Sequence, residues 1–242
     1  MISVFVGAVE GSAQALAALC EAGHAPALVV TLPLERAGNH SDFADLGPLA
    51  ARHGVPVHRS TRTSAPETQD AIRALSPDVI LVIGWSQLVG PEFLAIPRLG
   101  VLGFHPAALP RMRGRAVIPW HILTGQRQGG ATLFWIDEGT DSGPVAAQAV
   151  FPIDPDRTTA RALYDRSVGA MLALLPPLAH AQSKSELLDR LVYLSYGLAA
   201  ILGFIGVKLI LHALHENNLP FINQGANVPV AEVPTNISLV VI

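Results

Sequence analysis

The chain begins with apolar, β-branched residues at 2–6, and a turn-forming stretch at 7–12 separates them from apolar positions at helical spacing over 13–22. The alternation then repeats. Positions 27–31 read as a second strand, 48–53 as a short helix and 55–57 as a brief strand. A helix follows at 67–75 and an apolar strand at 78–83. Further on, 101–104 predicts a strand, 117–123 a helix, and 131–136 and 145–151 two more strands. The segment 158–180 predicts a helix, kinked or broken at Pro176 and Pro177. Continuous apolar strands are buried on both faces, and strands alternating with helices form a covered sheet. The expected fold is α/β, an open and mostly parallel Rossmann-like sheet spanning 1 to about 181.

Beyond that point the pattern changes. SKSELLDRL is charged and amphipathic, and LVYLSYGLAAILGFIGVKLILH at 191–212 has no polar face. Its length is about the twenty residues that a helix needs to cross hydrocarbon. Tyr193 and Tyr196 sit at one end and Lys208 near the other, as interfacial residues do. The pattern predicts a membrane-spanning helix over 191–212, in preference to a buried or dimer-forming helix. The two expected domains are therefore 1–181 and 182–242.

Composition sharpens the picture at a few points. Only 14% of the 242 residues are charged, the net charge is −3, and mean hydropathy is +0.39. That balance offers no general case for a nucleic-acid partner. A single cysteine, Cys20, excludes an internal disulfide and a cysteine-rich metal site, and it fits a reducing compartment. The N-terminus lacks the basic region of a signal peptide and reads as a first core strand. His24, His40, His53 and His58 are scattered without ligand spacing, so no metal is expected. The GAVEG turn at 7–11 lacks the spacing of a dinucleotide loop.

Candidate chemistry gathers in two stretches. GFHPAALPRMRGRAVIPW at 103–120 puts His105 at the end of a strand, with Pro106 stiffening the exit. Arg111, Arg113 and Arg115 follow on alternate positions. DEGTDSGPVAAQ at 137–148 leaves another strand as a glycine-bearing loop with Asp141 at its centre. A lone loop histidine proves little, and an ordinary turn accounts for an aspartate among glycines. Together they are a better candidate pair, because a carboxylate orients an imidazole and favours its charged form.

These residues carry a resemblance. APALVVT, DVILVIGW, HPAALPRMRGRAVIPW and DEGTDSG resemble, in content, order and distance, segments of the folate-dependent formyltransferases. That group includes the methionyl-tRNA, glycinamide ribonucleotide and sugar-nucleotide enzymes. The resemblance covers 1 to about 181. It implies 10-formyltetrahydrofolate as donor and an amine as acceptor. It also implies a pterin set against Gly84, Trp85, Gln87 and Val89 and against Asp137, Glu138, Gly139, Thr140 and Gly143. His105 and Asp141 match the family's catalytic histidine and aspartate, which implies that His105 moves the proton of the tetrahedral intermediate while Asp141 keeps it poised.

One position departs from the family pattern. Gly103 stands where the resemblance calls for an asparagine whose amide would donate to the oxyanion, and losing such a donor typically costs on the order of 100- to 1000-fold in rate. Gly103→Asn is therefore expected to raise the rate if the missing amide is the bottleneck. A folate-binding protein with weak or hydrolytic activity is the alternative reading. Arg113 and Arg115 fall in the family's acceptor-side segment, where guanidinium forks suit phosphate or carboxylate. A small-molecule amine, phosphorylated or a sugar nucleotide, is the expected acceptor. Methionyl-tRNA is disfavoured, because the region after Ala181 is not a basic tRNA-binding domain.

The tail carries a second resemblance. From about Ser183, SELLDRLVYLSYGLAAILGFIGVKLILHAL and VPTNISLVVI resemble part of the TerC integral membrane proteins, linked to tellurium resistance and metal-ion handling. The segment lacks the intramembrane acids of an ion path, so only topology is implied. Natural fusion, reading-frame artefact and designed chimera stay open, as does oligomeric state. The combined expectation is a cytoplasmic catalytic domain anchored to a membrane through 191–212. A membrane protein whose function lies in its tail ranks lowest.

Overall fold

The structure, a computed structural model, describes residues 1–39 and 42–179. The strands are β1 (Ser3–Val6), β2 (Leu28–Thr31), β3 (Val57–Arg59), β4 (Val79–Val82), β5 (Gly100–His105), β6 (Gln128–Trp135) and β7 (Val145–Pro152). They form a seven-stranded sheet in the order β3-β2-β1-β4-β5-β6-β7. The helices are α1 (Glu10–Glu21), α2 (Gly47–Arg52), α3 (Pro66–Arg73), α4 (Pro91–Leu94), α5 (Val117–Leu123) and α6 (Ala160–Ala179).

The first five strands in that order run parallel, and every residue of β2 and β4 is buried. This is the continuous apolar signature of a sheet covered on both sides. Val4, Val6, Leu28, Val30, Ile80, Val82 and Val101 share one face and pack with Ile72 of α3 and Phe93 of α4. On β6 the two faces separate cleanly. Gly129 lies beneath Leu163 of α6, whereas Gly130 meets the chain at Ala107 and Ala108. Successive strand residues point to opposite faces. Thus α6 covers one face, while the segment leaving β5 lies across the other.

Several predicted boundaries move for local reasons. Val55 is buried in a turn whose N–H donates to Ala50 O at 2.9 Å, so its apolar signal belongs to the turn and β3 begins at Val57. Helix α1 starts earlier than its apolar spacing suggests, because Ser12 Oγ accepts the Val9 N–H at 3.1 Å and turns the chain into the helix. Helix α6 starts later than the predicted 158, at Ala160, where Thr159 Oγ1 accepts the Ala162 N–H at 3.1 Å. Of the kink or break expected at Pro176 and Pro177, the break is ruled out, for α6 continues to Ala179. Each proline removes one ladder bond without ending the element. The single turn α4 was not expected.

Strands β6 and β7 are antiparallel to their neighbours, which keeps the sheet mostly parallel. Among the described residues no helix is long and apolar enough to cross a membrane. The expected span at 191–212 and the TerC-like segment lie outside the described residues.

Candidate active site

His105 ends β5, and the pleat points Gly103 and His105 to the same face. The imidazole is nearly buried, at 5% exposure. Its Nε2 donates to the Met112 carbonyl oxygen at 2.6 Å, and its Nδ1 stands 3.5 Å from Asp141 Oδ2. A carbonyl only accepts, so the contact with Met112 requires a proton on Nε2. A second proton on Nδ1 would complete an ion pair with Asp141.

The carboxylate itself is anchored, because Asp141 Oδ2 accepts the Gly114 N–H at 2.7 Å. Met112 and Gly114 flank Arg113, so the arginine-bearing segment grips both members of the pair through its backbone. Among the described residues, Ser76 (φ 46°), Met112 (φ 58°), Ala116 (φ 56°) and Asp141 (φ 48°) hold left-handed backbones without being glycine, and three of these four lie in these two segments. Such conformations cost of order 1–3 kcal/mol each and cluster at functional sites.

The sequence set His105 at the end of one strand and Asp141 on a loop leaving another, and the structure adds the direction in which that loop leaves. Because β6 is antiparallel to β5, with Leu102 opposite Trp135 and His105 opposite Thr132, the loop after β6 leaves at the far end from His105. It folds back across the sheet face to bring Asp141 up to the imidazole. A Cβ on Gly143 would overlap the Trp135 carbonyl, so only glycine permits this close return. Within the loop, Asp137 Oδ1 accepts the Gly139 N–H at 3.0 Å and the Ser142 hydroxyl at 2.7 Å. Glu138 and Thr140 are exposed.

Gly103 is not an empty position. A Cβ there would lie 2.8 Å from Ile136 Cγ1, 2.9 Å from its Cδ1 and 3.2 Å from Phe134 Cε1. The volume that a side chain at 103 would use is filled by an isoleucine from the neighbouring segment, which leaves an alkyl wall beside His105.

The segment after β4 begins with a left-handed Gly84 (φ 68°). Trp85 and Val89 pack against the core, and exposed Gln87 donates to Thr61 O at 2.5 Å. The Trp85 indole N–H is buried without a hydrogen-bond partner among the described residues. An orphaned donor of this kind costs about 1–3 kcal/mol and calls for an acceptor. Arg111, Arg113 and Arg115 are exposed, and no ion pair engages them among the described residues. Sequence reasoning missed Met112, Gly114 and Ile136. Their roles arise from backbone groups or from strand register, which leave no residue-type signal.

A family model described as Formyl transferase matches residues 4–176. The chain belongs to the formyl transferase family. Methionyl-tRNA formyltransferase of Methylococcus capsulatus (strain ATCC 33009 / NCIMB 11132 / Bath) is 35% identical over 192 residues, covering 77% of this chain and 62% of the relative. The corresponding protein of Halorhodospira halophila (strain DSM 244 / SL1) is 39% identical over 179 residues, covering 72% of this chain and 57% of the relative. Among solved structures, glycinamide ribonucleotide transformylase 1 from Geobacillus kaustophilus superposes with a TM-score of 0.61 at 28% identity, covering 73% of this chain and 95% of that one. This family member thus spans about three fifths of the curated relatives' length. The family match ends before the TerC-like segment, which finds no support in the comparisons.

Proposed function

We propose that this formyl transferase family member moves a formyl group from 10-formyltetrahydrofolate to an amine, with His105 as proton carrier and Asp141 as its orienting carboxylate. The observation that carries this reading is the facing of Nδ1 and Oδ2 at 3.5 Å on a nearly buried imidazole. The donor supplies an electrophilic formyl carbon. Trp85 and the backbone of 84–89 would hold it, together with the loop 137–143.

As the amine adds, it gains positive charge and the formyl oxygen gains negative charge. With its ring proton carried on Nδ1, toward Asp141, His105 takes the amine's proton on Nε2 and passes it to the departing nitrogen. Asp141 holds the ring and compensates its charge while it is protonated. The Nε2 bond to Met112 O must yield for that exchange, so the loop is part of the machinery.

Exposed Arg113 and Arg115 suit an acceptor bearing phosphate. Phosphate occurs both on phosphorylated small amines and at the end of an aminoacyl-tRNA. Identities of 35% and 39% to the two methionyl-tRNA formyltransferases make tRNA an acceptor to test beside small molecules. The expectation that disfavoured tRNA rested on the net charge and on residues after Ala181, which lie outside the described ones.

The test is loss of 10-formyltetrahydrofolate by the full chain, with and without a phosphorylated amine, a sugar-nucleotide amine or methionyl-tRNA. His105→Ala should slow transfer at least about 100-fold. Undiminished transfer would refute the assignment. Donor loss without amine, equally sensitive to His105→Ala, would favour hydrolysis.

A further inference from the structure

Two polar residues fasten the segment leaving His105, and the chemistry above gives neither a task. Thr132 of β6 stands opposite His105, and Gln148 of β7 stands opposite Thr132. Thr132 is wholly buried. A threonine hydroxyl has one proton and two acceptor sites, and all three are used. It donates to Ala107 O at 2.6 Å, and it accepts the Leu109 N–H at 3.3 Å and the Gln148 Nε2 amide at 2.9 Å. The remaining Nε2 proton of Gln148 goes to Leu109 O at 2.8 Å.

The network closes with every hydrogen placed. Gly130, on the same face, lets the segment rest on the strand itself, for a Cβ there would lie 2.7 Å from Ala108 N. From this anchor the chain turns through a bond from the Arg111 N–H to Ala108 O at 3.1 Å. It then presents the Met112 carbonyl to His105 and the Gly114 N–H to Asp141.

We propose that Thr132 and Gln148 are positioning residues of the formyl-transfer site. They clamp residues 107–109, so that Met112 and Gly114 reach His105 and Asp141 in fixed register. The inference rests on the proposed function for its kinetic consequence and on the hydrogen-bond network for its structural one. A purely structural role would need only an apolar pair of similar size on these strands, since the sheet does not use the hydroxyl. The loop carbonyls do.

The experiment compares full-chain Thr132→Val, Thr132→Ser and Gln148→Leu with wild type. It reads kcat, KM for the donor, the pH profile of kcat and the imidazole resonances of His105. Thr132→Val should lower kcat on the order of 100-fold, a loss that a displacement of about 1 Å can produce. Donor KM should stay unchanged while the pH profile and the His105 resonances move. Thr132→Ser should restore all of these, and Gln148→Leu should show a smaller loss of the same kind.

Wild-type kcat, profile and resonances in a folded Thr132→Val would overturn the proposal. If that variant fails to fold, exposed Gln148→Leu decides by the same readouts, and wild-type values there overturn it. Should wild type transfer no formyl group at all, the functional reading fails, while the His105 resonances of the variants still decide the clamp.

Discussion

Restoring an amide at position 103 looks simple from the sequence, and the structure changes the expected outcome. A Cβ at 103 would meet Ile136 Cγ1 at 2.8 Å, about 0.7 Å inside the near edge of ordinary carbon–carbon contact. Overpacking of this kind costs about 1–3 kcal/mol. A restored oxyanion donor is worth on the order of 100- to 1000-fold in rate, or about 2.7–4 kcal/mol. In Gly103→Asn alone the two terms oppose each other, because the new side chain must displace Ile136 to reach the site.

Ile136→Ala removes the two atoms that obstruct it. A double-mutant cycle should therefore show favourable coupling of about 1–3 kcal/mol, in stability by denaturant unfolding and in ΔG‡ by initial rates of formyl transfer. The single Gly103→Asn variant should be less stable than wild type and only partly activated, and the double variant the fastest of the four. Additivity within about 0.5 kcal/mol would refute the claim that Ile136 fills the space. A double variant no faster than Ile136→Ala would refute the missing amide as the bottleneck, and would favour a weak or hydrolytic folate binder.

Arg113→Ala should raise KM for a phosphate-bearing acceptor about tenfold or more while leaving donor binding intact, since a hydrogen bond to a charged group contributes about 1.5–3 kcal/mol; an unchanged acceptor KM counts against the phosphate reading. Asp78 offers a pH test far from the site. Its carboxylate accepts the Ile2 N–H at 2.7 Å and pairs with Arg98 at 2.8 Å, and these contacts hold its pKa below the usual value, the bond from Ile2 foremost. A lowered folded pKa contributes stability above the unfolded value, near 3.9, and loses it as pH falls through the folded one. In urea titrations Asp78→Asn should therefore be less stable than wild type by about 1 kcal/mol near neutrality, with the gap closing below about pH 4. A gap independent of pH would refute the assignment.

The local pattern disclosed much of the molecule. The buried parallel strands announce themselves as unbroken apolar runs, and α5 occupies the 117–123 that its spacing predicts. His105, Asp141 and the arginines could be nominated because residue type and distance along the chain are linear properties. The indole of Trp85 could be placed near a ligand segment, though not found without a partner.

Tertiary structure decided the rest. An apolar run has the same pattern whether its strand lies parallel or antiparallel, so the reversal of β6 between β5 and β7 was invisible. The route by which Asp141 folds back to His105 follows from that reversal. What fills the space at Gly103 is set by a residue 33 positions away, and a glycine carries no sign of its future neighbour. Thr132 and Gln148 read as ordinary strand residues, because register alone brings them to the same turn. Sequence by itself determined which segments become buried strands and helices and which residues can carry the chemistry, since burial and reactivity are properties of side chains. Only the folded chain determined which of them meet, because strand direction and register arise from contacts made across long separations.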